Sequence, residues 1–217
     1  MKPVILFDLD GTLIDSTEAI LESFRMAFTQ LGGRVPDEEA IKAEIGHTLE
    51  DMFRSLGVEA SRVEEHVRAY KQHYRTIHCE KTVLIDQARE AVKEAYQFAR
   101  LGVVTTKTGE YSTELLEHFG LMHHFEVLIG REHVTFPKPH AEPILKALEA
   151  IEHDKNSVWM IGDTPMDIIS ADNAGVRSVA VTSGYGRVKS LQVCAKTVRE
   201  NALLAIKFIK NYDFYNV

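Results

Sequence analysis

Apolar positions along this chain follow two kinds of pattern. Val4-Ile5-Leu6-Phe7, Leu101-Gly102-Val103-Val104-Thr105, Phe125-Glu126-Val127-Leu128-Ile129, Val158-Trp159-Met160-Ile161 and Ser178-Val179-Ala180-Val181 are short β-favouring runs, the mark of strands buried on both faces. Between them apolar residues recur every three to four positions. Ile20, Leu21, Phe24, Ala27, Phe28 and Leu31 predict a helix. It starts behind Asp15-Ser16-Thr17-Glu18, which has the form of a capping box, and stops at Gly32-Gly33. Helices are also expected over 37–44, 48–56 and 61–78. The last opens with a second capping box, Ser61 to Glu64, and carries a stripe of Val63, Val67, Tyr70, Tyr74 and Ile77. No strand is expected from Asp15 to about Lys81. Downstream, helices near 86–100 and 110–119, from Pro143 to about 151, after Pro165 to 174 and near 198–210 alternate with the strands.

Strand alternating with helix predicts an α/β fold, a Rossmann-like parallel sheet with helices on both faces. The helical block interrupts it after the first strand. The expected organisation is a core of 1–15 and 82–217 with an inserted α-helical cap subdomain over 16–81. No repeats, low-complexity tracts or long linkers are visible. Composition changes this picture little. Over 217 residues the apolar share is 45% and the charged share 26%, as in ordinary globular domains. The net charge of −7 argues against a nucleic-acid partner, which calls for a basic face, but leaves an anionic substrate open if a cation reverses the local sign. Cys79 and Cys194 cannot build a disulfide framework, and no apolar stretch is long enough for a membrane span or a signal-peptide core. A soluble, cytoplasmic protein is the expectation.

Four clusters carry chemistry, each after a predicted strand or in a core loop. Asp8-Leu9-Asp10-Gly11-Thr12 puts two acids at the carboxyl end of the first strand, where α/β folds build their sites, with Gly11 allowing close approach of the backbone to a ligand. Thr105-Thr106-Lys107 offers a hydroxyl and backbone N–H groups. Lys138-Pro139 holds a lysine in a stiffened loop. Gly162-Asp163-Thr164-Pro165-Met166-Asp167 places Asp163 in a strand–helix loop and Asp167 in the first helical turn, with Thr164 as N-cap. Four acids in one mouth repel one another unless a cation sits among them, and hard oxygen ligands with room for water suit Mg²⁺. A lysine and a hydroxyl opposite such an ion are what a phosphoryl group requires, and an aspartate attacking phosphorus is a recognised covalent route.

These motifs, in this order over nearly the whole chain, resemble the haloacid-dehalogenase superfamily, in particular its phosphatases with a small helical cap inserted after the first motif. The resemblance implies roles for the matching positions. Asp8 is the nucleophile. Asp10 is the acid that protonates the leaving alkoxide and then the base that activates water. Thr105 and the N–H of Thr106 bind phosphoryl oxygens, and Lys138 neutralises phosphate and Asp8. Asp8, Asp163 and the carbonyl of Asp10 ligate Mg²⁺, and Asp167 holds a metal-bound water or the metal itself. An acid at Asp10 favours phosphate ester or anhydride chemistry over dehalogenation. The nearest branch is similar to phosphoglycolate phosphatases and pyrophosphatase-like relatives, through Asp10-Gly11-Thr12-Leu13-Ile14-Asp15-Ser16, Ile45-Gly46 and Ser183-Gly184-Tyr185-Gly186. Three places depart from it: Thr106 where asparagine is commoner, Ile85-Asp86 where Pro-Gly is usual, and the segment 192–199.

The expected function is hydrolysis of a small phosphorylated metabolite, phosphoglycolate-like, through an aspartyl phosphate. Inorganic pyrophosphate, a nucleotide, and a phosphomutase reaction of the β-phosphoglucomutase kind stay as alternatives. So does a different class, the receiver-like signalling module, which also forms an aspartyl phosphate. A monomer or homodimer is expected. His47, beside Gly46 in the cap, is a candidate substrate contact. His123-His124 and the pair His66 and His73 lack the spacing of a zinc site with a third ligand, and are expected to be solvated or boundary histidines. Gly184-Tyr185-Gly186 reads as a turn rather than a phosphate loop, and Tyr70 and Tyr74 as packing.

Overall fold

The first apolar run becomes β1 (Val4–Phe7), with all four side chains buried. In the computed structural model, which describes residues 2–215, the chain divides into two compact units: Met1–Asp15 with Leu84–Val217, and Ser16–Val83. β2 (Ile14–Asp15) pairs with a later two-residue strand, β3 (Val83–Leu84). β2 takes in Asp15, where no strand was expected; two residues are too few to show a period.

The Ser16–Val83 unit consists of α1 (Thr17–Gln30), α2 (Glu38–Lys42), α3 (Leu49–Ser55) and α4 (Val63–Ile77). The apolar stripes of α1, α3 and α4 meet in an aromatic core. Phe24 lies 4.6 Å from Phe53 and 5.0 Å from Tyr70, ring centre to ring centre. Tyr70 and Tyr74 stack at 5.4 Å, the packing role read for them. His66 is not solvated: it sits in this core 5.4 Å from Phe28, with Nδ1 2.8 Å from the Arg62 carbonyl. Neither expected capping box forms. Ser16 is fully buried at φ −107°, ψ 19°, away from the extended geometry of a side-chain cap. Ser61 falls inside a 3₁₀ turn, Ala60–Arg62, so α4 begins one residue later than the box requires.

The other unit carries α5 (Ala88–Phe98), β4 (Arg100–Val104), α6 (Gly109–His118), β5 (Phe125–Ile129), α7 (Glu142–Glu149), β6 (Val158–Gly162), α8 (Pro165–Ala174), β7 (Arg177–Val181), α9 (Val188–Cys194), β8 (Val198–Arg199) and α10 (Ala202–Tyr215). Its six-stranded sheet has the order β5-β4-β1-β6-β7-β8, and every neighbouring pair is parallel. Val4 and Leu6 face a core shared with Ile144, Ala147 and Leu148 of α7 and Ala171 of α8. Strand alternation sends Ile5 and Phe7 to the opposite face. On that side α5 and α10 pack together against β4, β7 and β8. Helices therefore cover both faces of the sheet. The helix expected near 198–210 is displaced: Val198 and Arg199 pair with Ala180 and Val181 as the sixth strand, and α10 starts at Ala202. Among the described residues no helix is long and apolar enough to cross a membrane.

Candidate active site

The chain runs from β1 to β4 and β5 on one side, then returns to β6 on the other. Ligands of such sheets bind at the carboxyl ends of the strands where this reversal occurs. The register puts Phe7 beside both Val103 and Ile161, so Asp8, Thr105 and Asp163 emerge within two residues of one line across the sheet. The backbone continues the ladder one step further: the Asp8 N–H donates to the Ile161 carbonyl at 2.8 Å and the Thr105 N–H to the Ile129 carbonyl at 2.9 Å.

Lys138 enters this mouth from the loop before α7. Its ammonium donates to Asp8 Oδ1 at 2.8 Å, to the Val104 carbonyl at 3.1 Å, and to Asp167 Oδ1. Three donors meet three acceptors, so the charge is fully held by the protein. Asp167 also accepts from the N–H of Thr164 at 3.0 Å and from its hydroxyl at 2.7 Å, which fixes the first turn of α8 behind Pro165. Asp163 accepts from Thr12 Oγ1 at 3.1 Å and from the Tyr185 N–H at 2.8 Å. Ser183 Oγ donates to the Gly11 carbonyl at 2.9 Å and ties the same loop to the first motif. Gly11 has φ +82°, and a Cβ there would overlap the Asp163 carboxylate, so close packing and backbone geometry both demand glycine. Asp10 lies to one side, 3.1 Å from Lys107 Nζ, both side chains largely shielded at 12% and 9% exposure.

Electrostatics define the mouth. Asp8, Asp163 and Asp167 are buried, with ligand oxygens all within 4.8 Å of one another; among the described residues no histidine joins a group of this kind. Burial pushes the Asp8 carboxyl up to about 7; Lys138 pulls it back, while Asp167 and Asp10 push it further up. Burial, then Asp8 and Asp167, hold Asp163 well above the ordinary carboxylate range, against the Tyr185 N–H and the Thr12 hydroxyl. Burial works against the Lys138 ammonium, but Asp167 and Asp8 outweigh it and hold its pKa above the ordinary value. Three carboxylates thus share one fixed cation. Leaving a buried charge uncompensated costs several kcal/mol. A hard divalent ion fits this donor set, all oxygen with a deficit of positive charge.

The residues singled out from the sequence are therefore placed as follows. Asp8, Gly11, Asp163, Asp167 and Lys138 meet in one buried cluster. Thr105 is buried at the end of β4, its Oγ1 accepting from the Lys107 N–H at 3.2 Å, and half-buried Thr106 follows it. Asp10 stands at the rim with Lys107. His47 belongs to the other unit, where its Nδ1 is 3.0 Å from the Glu44 carbonyl. Thr164 caps α8 as read from the sequence; sequence reasoning gave no role to the Thr12 hydroxyl, the Tyr185 N–H or the Lys107 side chain. All stand inside quoted motifs, so their signal was proximity alone. Gly184-Tyr185-Gly186 is a packing turn that delivers an N–H to Asp163, not a phosphate loop.

Comparison with known proteins agrees with this geometry. The model of the haloacid dehalogenase-like hydrolase family matches residues 5–181. The pyrophosphatase PpaX of Halalkalibacterium halodurans is 38% identical over 183 residues, 83% of each chain. The probable phosphatase IndB of Dickeya dadantii is 33% identical over 210 residues, 91% of this chain and 89% of that one. Among solved structures, a haloacid dehalogenase-like hydrolase from Bacteroides fragilis superposes with a TM-score of 0.89 at 28% identity, covering 94% of this chain and all of the other. A predicted phosphoglycolate phosphatase from Haemophilus somnus shares the fold, with a TM-score of 0.87 at 22% identity over 95% and 97% of the two chains. The chain belongs to the haloacid dehalogenase-like hydrolases, and it is a phosphatase of that family.

Proposed function

We propose that this enzyme hydrolyses a small phosphorylated metabolite by a two-step transfer through Asp8, with Mg²⁺ as its cofactor. One observation carries the reading: a nucleophile-sized carboxylate, Asp8, sits at the carboxyl end of the central strand, bonded to the buried Lys138 and grouped with Asp163 and Asp167. The Asp8 and Asp163 carboxylates and the carbonyl of Asp10 are the groups to hold the ion, with Asp167 directly or through water. Once bound there, the ion would compensate the clustered charge and supply Lewis acidity toward a phosphoryl oxygen.

In the first step an Asp8 oxygen bonds to phosphorus, the bond to the leaving oxygen breaks, and Asp10 delivers a proton to that oxygen. In the second, Asp10 takes a proton from water, the water oxygen bonds to phosphorus, and the phosphorus–Asp8 bond breaks to free inorganic phosphate. Lys138, its three donors already engaged, acts on the phosphoryl group through its charge. The Thr105 hydroxyl and Thr106 N–H receive phosphoryl oxygens. In this reading the Ser16–Val83 unit is the cap and carries His47 as the candidate substrate contact. Pyrophosphate is supported as a substrate by the PpaX relatives, and phosphoglycolate by the motif resemblance.

Turnover of p-nitrophenyl phosphate tests the mechanism. Asp8→Asn is expected to lower kcat by at least about a thousandfold, as loss of a nucleophile does. EDTA is expected to abolish wild-type turnover, and added Mg²⁺ to restore it. Wild-type-like rates in either experiment would overturn the reading. Sustained turnover also separates this enzyme from a receiver-like module, which is phosphorylated once and stops.

A further inference from the structure

We propose that Lys107 is a specificity residue that selects substrates whose leaving group is itself an anion: the second phosphate of a phosphoanhydride, or a carboxylate-bearing alcohol. This rests on the two-step reading above and adds to it the half of the substrate that departs. Two lysines serve the mouth, and they stand at different ends of the reaction. Lys138 is on the nucleophile side, bonded to Asp8, Asp167 and the Val104 carbonyl. Lys107 is on the leaving-group side, because its Nζ lies 3.1 Å from Oδ2 of Asp10, the group that meets the departing oxygen.

The charge of an ammonium acts in every direction, so Lys107 can stay on Asp10 and still attract a second anion. Its charge is scarcely screened, since both side chains are about nine-tenths out of solvent. Nothing in phosphoryl transfer itself calls for a cation beside the proton donor. It is useful where the departing fragment brings negative charge into a region already holding Asp8, Asp10, Asp163 and Asp167. A neutral alcohol gains nothing from it. The backbone supports the placement: the Lys107 N–H donates to Thr105 Oγ1 at 3.2 Å, and its carbonyl accepts from the Arg131 N–H at 2.9 Å, so the stem leaves a pinned turn.

The test compares kcat/KM for pyrophosphate, 2-phosphoglycolate and 2-hydroxyethyl phosphate; the last two differ chiefly in the charge of the departing group. The wild type is expected to favour both anionic leaving groups. Lys107→Gln is expected to cut that preference about tenfold, the size of one shielded charge contact, chiefly through KM. Lys107→Arg is expected to recover most of it. Should Lys107→Gln not fold, Lys107→Met, which keeps the stem, gives the same ratio. An unchanged preference, or an equal loss on all three substrates, overturns the proposal, the second outcome marking a purely structural lysine. A wild type inactive on all three, or an Asp8→Asn enzyme still active, would overturn the two-step reading itself.

Discussion

In the proposed reading Asp8 joins stability, pH and metal binding in one side chain. Its carboxyl rises from an ordinary 3.8 to about 7 in the folded protein. The folded state thus holds a proton that the unfolded chain releases. This contribution to stability is complete below about 3.8 and is lost as pH rises through about 7. Asp163 is displaced in the same direction and adds to the effect. A divalent ion competes with these protons, since ligands must be deprotonated to bind it. The rise in Tm on adding Mg²⁺ is therefore expected to be small at pH 5 and large at pH 8, with the metal-free Tm falling over the same interval. A pH-independent shift, seen by scanning calorimetry, would contradict this coupling. Gly11 gives a second forecast at this scale. Gly11→Ala forces a side chain into φ +82° and against Asp163. It should cost about 1–3 kcal/mol in urea unfolding and weaken the Mg²⁺-induced Tm shift as well.

The loop between β5 and α7, which carries Lys138, is held by the helices around it. Ser170 Oγ of α8 donates to the His140 carbonyl at 2.7 Å, and Asn173 Nδ2 to the Pro139 carbonyl at 2.9 Å. Glu142, in the first turn of α7, accepts from the N–H groups of Thr135 and Phe136, both at 2.8 Å. Ser170 is fully buried, so Ser170→Ala leaves an acceptor short of its donor. About 1 kcal/mol of stability should be lost, with kcat falling more than KM as Lys138 loses its fixed place; stopped assays and urea melts check both. These braces were invisible in the sequence, because nothing in the spacing of Ser170 and Asn173 points to a loop some thirty residues away. The strands were legible because burial on both faces leaves an unbroken apolar run. β8 and β2 were not, because two residues carry no period and their pairing is decided by distant partners. The capping boxes misled for a related reason: short motifs name a local option, which burial of Ser16 and a 3₁₀ turn at Ser61 replaced.

At the scale of the whole molecule, the apolar runs predicted five of the six strands of the sheet, and the motifs named Asp8, Lys138, Asp163 and Asp167, which meet at its carboxyl edge. Side-chain partners such as Thr12 with Asp163 or Lys107 with Asp10 needed coordinates, because sequence spacing says nothing of rotamers. The central position of β1 has a consequence for how the protein is made. Its neighbours are β4 and β6, so Asp8 meets Lys138 across 130 residues and Thr12 meets Asp163 across 151. Contacts at such separation are slow to close. In the proposed mechanism a chain under synthesis carries Asp8 long before Asp163 and Asp167, and stays chemically inert until the stretch bearing them has been made and placed beside the first strand. Reactivity is thereby withheld from every unfinished copy.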